Sequence, residues 1–530
     1  MGVRWSAWWR VDRTDLLWLL ALTLVAGFLR FASPVFPDLL SRPLSSAPIS
    51  AWGIGHSYQD PKVQGVGLPN AIAPDAPFVF DETYFANDAQ ADLQGKDYFD
   101  PEPPLSKLII AIGIKIFGFN SFGWRVMSGL FGTALVPLMY LLARQLLSVR
   151  FFAVVAGVLT GFDGMMFVQS RIGMIDIFPI VLVVLSYLLF HLHLNADTRR
   201  RQRLTIVLAA IMLGLAMGAK WISLAAYGTV IVLLVYRVAW KLTRYDRRTA
   251  AVVILSLAFL PVIFYGLTYT RYLTIAHSLT NFAAPALSFA PLHLDLGRAW
   301  QELAEFHRQT WLYHINLKAD HIFYSPWWSW PALFRPVVYY YQSQDLGADP
   351  STGSNLVAEI FNLGNPAIWW AAVVALLSLI VIQLREGIAF LRLRLSGARD
   401  EAAALAGRNY PVFFILLAFF AAWLPFSRVP RGLFLYHMFG GLPFMILAVA
   451  LVLTRLRRLR FTVPFGAFDL RLSGWAPAYA YLAMVMAFFL YFYPLWTGLP
   501  LTSDAVNGHI WFAFVKPLPN WCLCYWTSPG

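Results

Sequence analysis

Apolar runs of membrane-spanning length recur along this 530-residue chain, and they limit its possible folds more than any other feature. A helix needs about 20 mostly apolar residues to cross roughly 30 Å of hydrocarbon. No water reaches the backbone N–H and C=O groups there, so a span must satisfy them internally. Eleven candidates are legible: 15–32, 122–146, 151–167, 175–194, 204–219, 221–239, 249–270, 366–384, 410–426, 432–454 and 475–494. Composition agrees. Hydrophobic residues make up 59% and charged residues 13%, about half the charged share of a soluble domain. A soluble enzyme, a disordered chain and a secreted disulfide scaffold are excluded. The expected fold class is an all-α polytopic membrane protein with one domain over 1–530.

Eleven spans put the termini on opposite sides. With the N-terminus inside, the inner segments 1–14, 147–150, 195–203, 240–248, 385–409 and 455–474 carry 22 of the 41 Lys and Arg residues. The two long outer segments, 33–121 and 271–365, carry five each over far more chain. This is the positive-inside pattern. It also accounts for the net charge of +13, so a nucleic-acid partner is not expected. The first run follows Arg10 and Arg13 and lacks a clear small-residue cleavage site after it, which favours a retained span over a cleaved signal peptide. Several runs are short, which sets the breaks near 163–176 and 220 close to the membrane surface. Segment 475–530 supplies the last span and an outer tail. Cys522 and Cys524 are too close for a comfortable disulfide and receive no role.

Loops as long as 33–121 and 271–365 usually carry function. In the first, Pro103-Pro104 opens an apolar run to 118 that is too short to span and reads as an interfacial helix. In the second, 292–318 has amphipathic helical spacing. No tandem repeat, phosphate-binding glycine loop or pair of inverted halves is present, which argues against a transporter.

Side chains able to do chemistry cluster at span edges and in these loops. Phe80-Asp81-Glu82-Thr83-Tyr84-Phe85 sets two adjacent carboxylates among aromatics. They are either solvated loop acids or a base and its neighbour, with one pKa raised by burial. Glu102 precedes the Pro pair, either as a stiffened functional acid or as an ordinary helix-start carboxylate. Arg171 and Asp176 lie at the edges of two spans. Charges there need partners, and Arg171 pairs either with a phosphate or with Asp163 or Asp176. Lys220 is a snorkelling lysine beside Trp221 or an anion ligand. Arg428 and Arg431 oppose the inside bias from an outer turn, which calls for an anionic ligand. His314 and His321 meet no metal-ligand spacing rule. Trp327, Trp328 and Trp330 form either a sugar-stacking platform or an interfacial belt, the belt being favoured by the residues alone.

In order and spacing these segments resemble the protein O-mannosyltransferases of glycosyltransferase family 39, which have the GT-C membrane fold. The resemblance runs through nearly the whole chain. It rests on Phe80-Asp81-Glu82; Tyr98-Phe99-Asp100 through Pro103-Pro104-Leu105 and Lys107; Gly123-Trp124-Arg125 with Ser128; Gln169-Ser170-Arg171 with Asp176; and Gly218 through Trp221. Later matches are His314, His321, Ser325-Pro326-Trp327, Trp330-Pro331, Arg431, Phe434, Tyr436-His437 and Pro443. It implies a polyprenyl-phosphate-mannose donor, a Ser or Thr hydroxyl of a secreted or membrane polypeptide as acceptor, transferred to as the chain is exported, and inversion at the sugar. It assigns Asp81 as base and Glu82 as a residue that orients or binds the acceptor. Arg125, Arg171, Lys220 and Arg431 become candidates for the lipid phosphate. Glu102, Asp176, His314, His321, Trp327, Trp330 and His437 become candidates for substrate contact. Membrane lipids surround the isoprenoid chain. No cofactor is required, and the need for a divalent metal is left open.

Two departures matter. The family usually has His-Pro-Pro where this chain has Glu102-Pro103-Pro104, and related aminoarabinose transferases carry charged residues there. Transfer of another lipid-linked sugar to a lipid or glycan is therefore the alternative. Segment 271–365 lacks room for the sugar-binding-like insertion of eukaryotic members, and arginine outnumbers lysine 33 to 8. Both point to a bacterial or archaeal cell membrane with the active site outside. A transporter or lipid flippase is the reading from another class. Carboxylates gathered outside the membrane, not at mid-span, favour an enzyme.

Overall fold

A computed structural model describes residues 11–31, 70, 72, 76–276, 279–280, 293–318, 321–349, 351–465 and 468–511. The 33–69 part of the first long loop and the Cys522–Cys524 pair lie outside the described residues. Nine described helices are long and apolar enough to cross a membrane: Arg13–Phe31, Ser121–Leu146, Ile177–Leu194, Arg199–Ala219, Trp221–Ala239, Arg247–Thr268, Pro366–Leu395, Arg399–Arg428 and Trp475–Thr497. Two shorter apolar helices, Arg150–Gly161 and Leu442–Leu456, take the remaining two of the eleven expected positions. The protein is a multi-pass membrane protein.

Polar residues that accept backbone N–H groups fix many helix starts. Asn120, Thr198, Asp246, Asp295 and Asn365 each accept from a residue two or three positions on. Pro366 follows Asn365 at the first helical position, where its missing N–H costs nothing. Ser121–Leu146 is central and packs on Arg13–Phe31, Leu105–Phe117, Arg150–Gly161 and Ile177–Leu194. Small residues allow close helix contact in lipid. A Cβ on Gly214 would lie 2.6 Å from the Pro261 carbonyl oxygen, so Arg199–Ala219 and Arg247–Thr268 meet backbone to backbone there. Near the start of the first helix, buried Asp15 pairs with Arg144 at 2.9 Å and Arg150 at 3.1 Å, fastening that helix to the central one and to Arg150–Gly161.

The run expected as an interfacial helix forms the helix Leu105–Phe117, and the amphipathic stretch forms the helix Leu296–Asn316. The chain is helical in every span, but its loops add short antiparallel strands that hydrophobic runs did not reveal. Val337–Gln342 pairs with Leu356–Asn362, which also pairs with Leu501–Thr502. A register shift between Val338 and Tyr340 interrupts the first ladder at Tyr339. Loop backbone outside the helices still needs hydrogen-bond partners, and these ladders supply them. The expected breaks occur at Phe162–Asp163, at 170–176 and at Lys220.

Candidate active site

The site is built around a tight turn whose two carboxylates face opposite ways. Phe80 has φ +52°, a left-handed conformation uncommon for a bulky residue. Its ring stacks on Tyr339 at 4.1 Å and meets Tyr436 edge-on at 6.1 Å, contacts that offset the strain. After that reversal Glu82 turns inward and is fully buried. Its Oε1 accepts from Arg125 Nε at 2.6 Å and from the Gly173 N–H at 2.5 Å. Its Oε2 accepts from Arg125 Nη2 at 2.5 Å and from the Val79 N–H at 2.7 Å. Arg125 also donates to the Pro77 carbonyl. Gly173 packs closely here: a Cβ would stand 3.0 Å from the Trp124 backbone oxygen and ring, so a larger residue would have to push Trp124 aside.

Asp81 starts the helix Glu82–Gln94 yet makes no capping bond with its side chain. The carboxylate instead lines a cavity of about 420 Å³ with Tyr84, Phe85, Asp88, Asp100 and Glu102. Burial, aided by Asp176 and Asp100 and opposed by Lys220, pushes its pKa up to about 6. Asp88 is raised in the same direction by burial and by Asp100, against the pull of Lys107.

A second wall comes from the segment before Leu105–Phe117. Lys107 pairs with Asp100 at 2.9 Å, and Asp100 accepts the Glu102 N–H at 2.8 Å, which holds Glu102 over the cavity. The Ser106 hydroxyl lies 3.1 Å from the Ile175 carbonyl oxygen and 3.2 Å from that of Ala219. It thereby ties together the two span breaks that carry Asp176 and Lys220. Lys220 Nζ sits 2.6 Å from Asp176 and 3.8 Å from Glu102.

Beyond this cluster the space opens into a second, mostly apolar chamber of about 380 Å³, walled by Pro179, Ile180, Trp221, Ile222, Trp311, Phe426, Val429 and Leu433. Glu102, Asp176, Lys220, His314, Arg431, Tyr436 and His437 line both chambers and form the neck between them. Among the described residues, Arg431 makes no ion pair, whereas Lys220 is already matched by two carboxylates. Burial, with Lys220 and Arg431 beside it, holds the His437 pKa well below its usual value.

Of the residues expected from sequence, Asp81, Glu102, Asp176, His314, Lys220, Arg431 and His437 therefore converge on one cavity. The others do not line either chamber. Glu82 and Arg125 are spent on each other. Arg171 is fully buried, donates to the Leu29 and Asn70 carbonyls and lies over the Phe167 ring at 4.9 Å. Asp163 accepts from Met166, Asn365 and Trp369, joining two helix starts. Trp330 is buried with its ring stacked 5.8 Å from His437. Trp327 packs on Trp423, whose indole donates to its carbonyl. His321 is exposed beside Tyr324 and Phe434. The indoles facing the cavity are Trp221 and Trp311. The sequence reading assigned no role to Tyr339, Asp88, Asp100 or Ser106. Only the Asp100 and Ser106 positions carried a signal, since both lie within the quoted Pro-Pro segment. Among the described residues, no group of three His, Cys, Asp or Glu is gathered to hold a metal ion.

Membrane helices carrying a carboxylate-and-cation cavity in the loops at one end define a GT-C-type membrane glycosyltransferase. A solved Saccharomyces cerevisiae protein O-mannosyltransferase complex bound to the sugar donor shares the fold with a TM-score of 0.68. It is 14% identical, and the match covers 98% of this chain and 94% of that one. Residues 74–277 match the family model described as dolichyl-phosphate-mannose-protein mannosyltransferase, and 299–515 match that of the C-terminal four-transmembrane region of protein O-mannosyltransferase. The chain belongs to the protein O-mannosyltransferase family. A polyprenol-phosphate-mannose–protein mannosyltransferase of Mycobacterium tuberculosis is 27% identical over 84% of this chain and 86% of its own length. One of the same name from Corynebacterium glutamicum is 25% identical over 86% of this chain and 90% of its own.

Proposed function

We propose that the protein moves mannose from polyprenyl-phosphate-mannose to a Ser or Thr hydroxyl of a polypeptide, with inversion, on the outer face of a bacterial or archaeal cell membrane. The observation that carries this reading is the divided cavity. Its apolar chamber suits an isoprenoid chain, its polar chamber suits a sugar and a peptide, and a cationic neck joins them. The names of the relatives and the family models favour a protein acceptor over a lipid or glycan.

The donor's phosphate sits at the neck, on Arg431 and Lys220, with its lipid in the apolar chamber. Arg431 has free donors for it, and Lys220 adds charge while anchored by Asp176 and Glu102. The acceptor hydroxyl enters from the polar chamber. Asp81 takes its proton as its oxygen bonds to the anomeric carbon. The bond from that carbon to the phosphate oxygen breaks, and polyprenyl phosphate leaves. Attack opposite the leaving phosphate gives inversion, as in other displacements with a base on one face of the sugar. The cations stabilise charge that grows on the phosphate. Glu82 acts through position: clamped by Arg125, it fixes the turn that aims Asp81.

Purified protein given synthetic polyprenyl-phosphate-mannose and a Thr-containing peptide should yield a mannosylated peptide by mass spectrometry. Transfer only to lipid or glycan would overturn the reading. A hydrogen bond to a charged group contributes about 1.5–3 kcal/mol. Arg431→Gln should therefore weaken apparent donor affinity roughly 10- to 100-fold, with less effect on acceptor KM. Unchanged donor kinetics would remove Arg431 from the phosphate site. Orientation has its own check. Cysteines introduced at Ser57 and Ser351 should react with a membrane-impermeant thiol reagent in whole cells, and protection of either would contradict the outside placement of the two long loops.

A further inference from the structure

We infer a second anion site, for a phosphate group, at the end of the helix bundle opposite the catalytic cavity. A pocket of about 320 Å³ lies between Pro366–Leu395, Arg399–Trp423 and Leu442–Leu456. Arg385, Arg408 and Arg455, one from each helix, line it with Glu386 and Asn409. Three guanidiniums against one carboxylate leave two formal positive charges. Among the described residues none of the three arginines has a carboxylate oxygen within 4.0 Å, Glu386 acting on Arg455 from further away, and the Asn409 amide already donates to Gln383 at 2.8 Å.

Its depth follows from the helices. Pro366–Leu395 begins on the catalytic side, where the Trp370 indole donates to the Ala332 carbonyl. Arg385 is about 19 residues further on, roughly 28 Å along the helix. That distance nearly equals a bilayer's hydrocarbon thickness and sets the pocket at the opposite headgroup level. Arg455 ends the helix that begins beside the cavity neck. Arg408 lies toward the far end of a helix whose Trp423 end packs on Trp327.

The ligand chemistry follows from the donors. Converging guanidinium forks suit the several oxygens of a tetrahedral phosphate, and basic pockets between membrane helices hold anionic headgroups. The favoured source is a lipid. Ile382 and Leu405 line the pocket beside the arginines. Val381, Leu384 and Ile388 are more than half exposed on the same helix and offer a surface for acyl chains.

The test uses the full-length protein in detergent, native mass spectrometry and added phosphatidylglycerol or phosphatidylcholine. Each basic side chain near an anionic headgroup contributes about fivefold in binding. Arg385→Gln/Arg408→Gln should therefore retain phosphatidylglycerol roughly 30-fold less than the parent, with no change for phosphatidylcholine. Arg200→Gln/Arg203→Gln, which leaves the pocket intact, should retain it like the parent. If the double pocket variant misfolds, Arg455→Gln alone should show about the single-residue effect. Equal lipid retention by parent and pocket variants with no arginine-dependent stabilisation by inorganic phosphate, or equal loss in the control, overturns the site. Inorganic phosphate separates the sources. Competition with phosphatidylglycerol supports a headgroup site. Arginine-dependent stabilisation of the parent by phosphate, without arginine-dependent lipid retention, supports the site with a free anion as its ligand.

Discussion

Asp81→Asn is expected to lower turnover by at least about 10²-fold while leaving folding, membrane insertion and donor binding intact. The substitution keeps size and hydrogen-bonding capacity but removes the proton acceptor. General-base help is typically worth about 10²–10⁴-fold. Asp81 fits that role because its carboxylate is not spent on capping its helix and borders the polar chamber. A pH dependence comes with it. With a pKa raised to about 6, Asp81 is protonated and unable to accept a proton below that value. Parent activity should fall as pH drops through about 6 and level off above it. Near-normal turnover in Asp81→Asn would pass the base role to Glu102, a carboxylate at the neck between the chambers.

Arg125→Met should be the most destabilising single change at the site. It leaves Glu82 charged and fully buried with two backbone N–H groups as remaining partners. Removing one partner of a buried ion pair costs about 3–5 kcal/mol, visible as a lower melting temperature of the detergent-solubilised protein. Arg125→Met/Glu82→Gln should recover part of that loss, since the uncompensated charge is gone. Activity separates anchoring from acceptor binding. If Glu82 only fixes the turn that aims Asp81, Glu82→Gln should lower kcat with little change in acceptor KM. A protein carrying Arg125→Met that melts like its parent would show that the pair does not hold the turn.

Much of the architecture was legible because the bilayer imposes a one-dimensional rule. Apolar runs long enough to cross, cut by Asp163, Lys220 and charged turns, can be counted along the chain, and among the described residues nine of the eleven expected spans are helices of crossing length, the other two being shorter apolar helices. Two fall short of spanning length, Arg150–Gly161 and Leu442–Leu456. Their runs looked longer because apolar residues continue past Phe162 and begin before Leu442, where the backbone has left the regular helix. Short strands such as Val337–Gln342 escaped notice, since pairing with Leu356–Asn362 and Leu501–Thr502 depends on partners far away in sequence.

For the site, the sequence by itself determined the inventory: an acidic pair after Phe80, a Pro-stiffened Glu102, charges at span breaks and Arg431 in a turn between spans. Those are statements about residue type and order, and membrane topology brings the loops that carry them to one end. Tertiary structure alone decided how the inventory is divided. Asp81 and Glu82 are neighbours with the same chemistry, and nothing in their order tells which faces the cavity. The left-handed Phe80, seated on Tyr339 at the strand irregularity, sends Glu82 to Arg125 and the Gly173 N–H and leaves Asp81 at the cavity wall. Likewise four arginine and lysine candidates looked equivalent for phosphate. Burial consumed Arg125 and Arg171 in contacts with protein groups, because a charge away from water must be matched where it lies. Lys220 and Arg431 remained at the neck, where two chambers of opposite polarity meet.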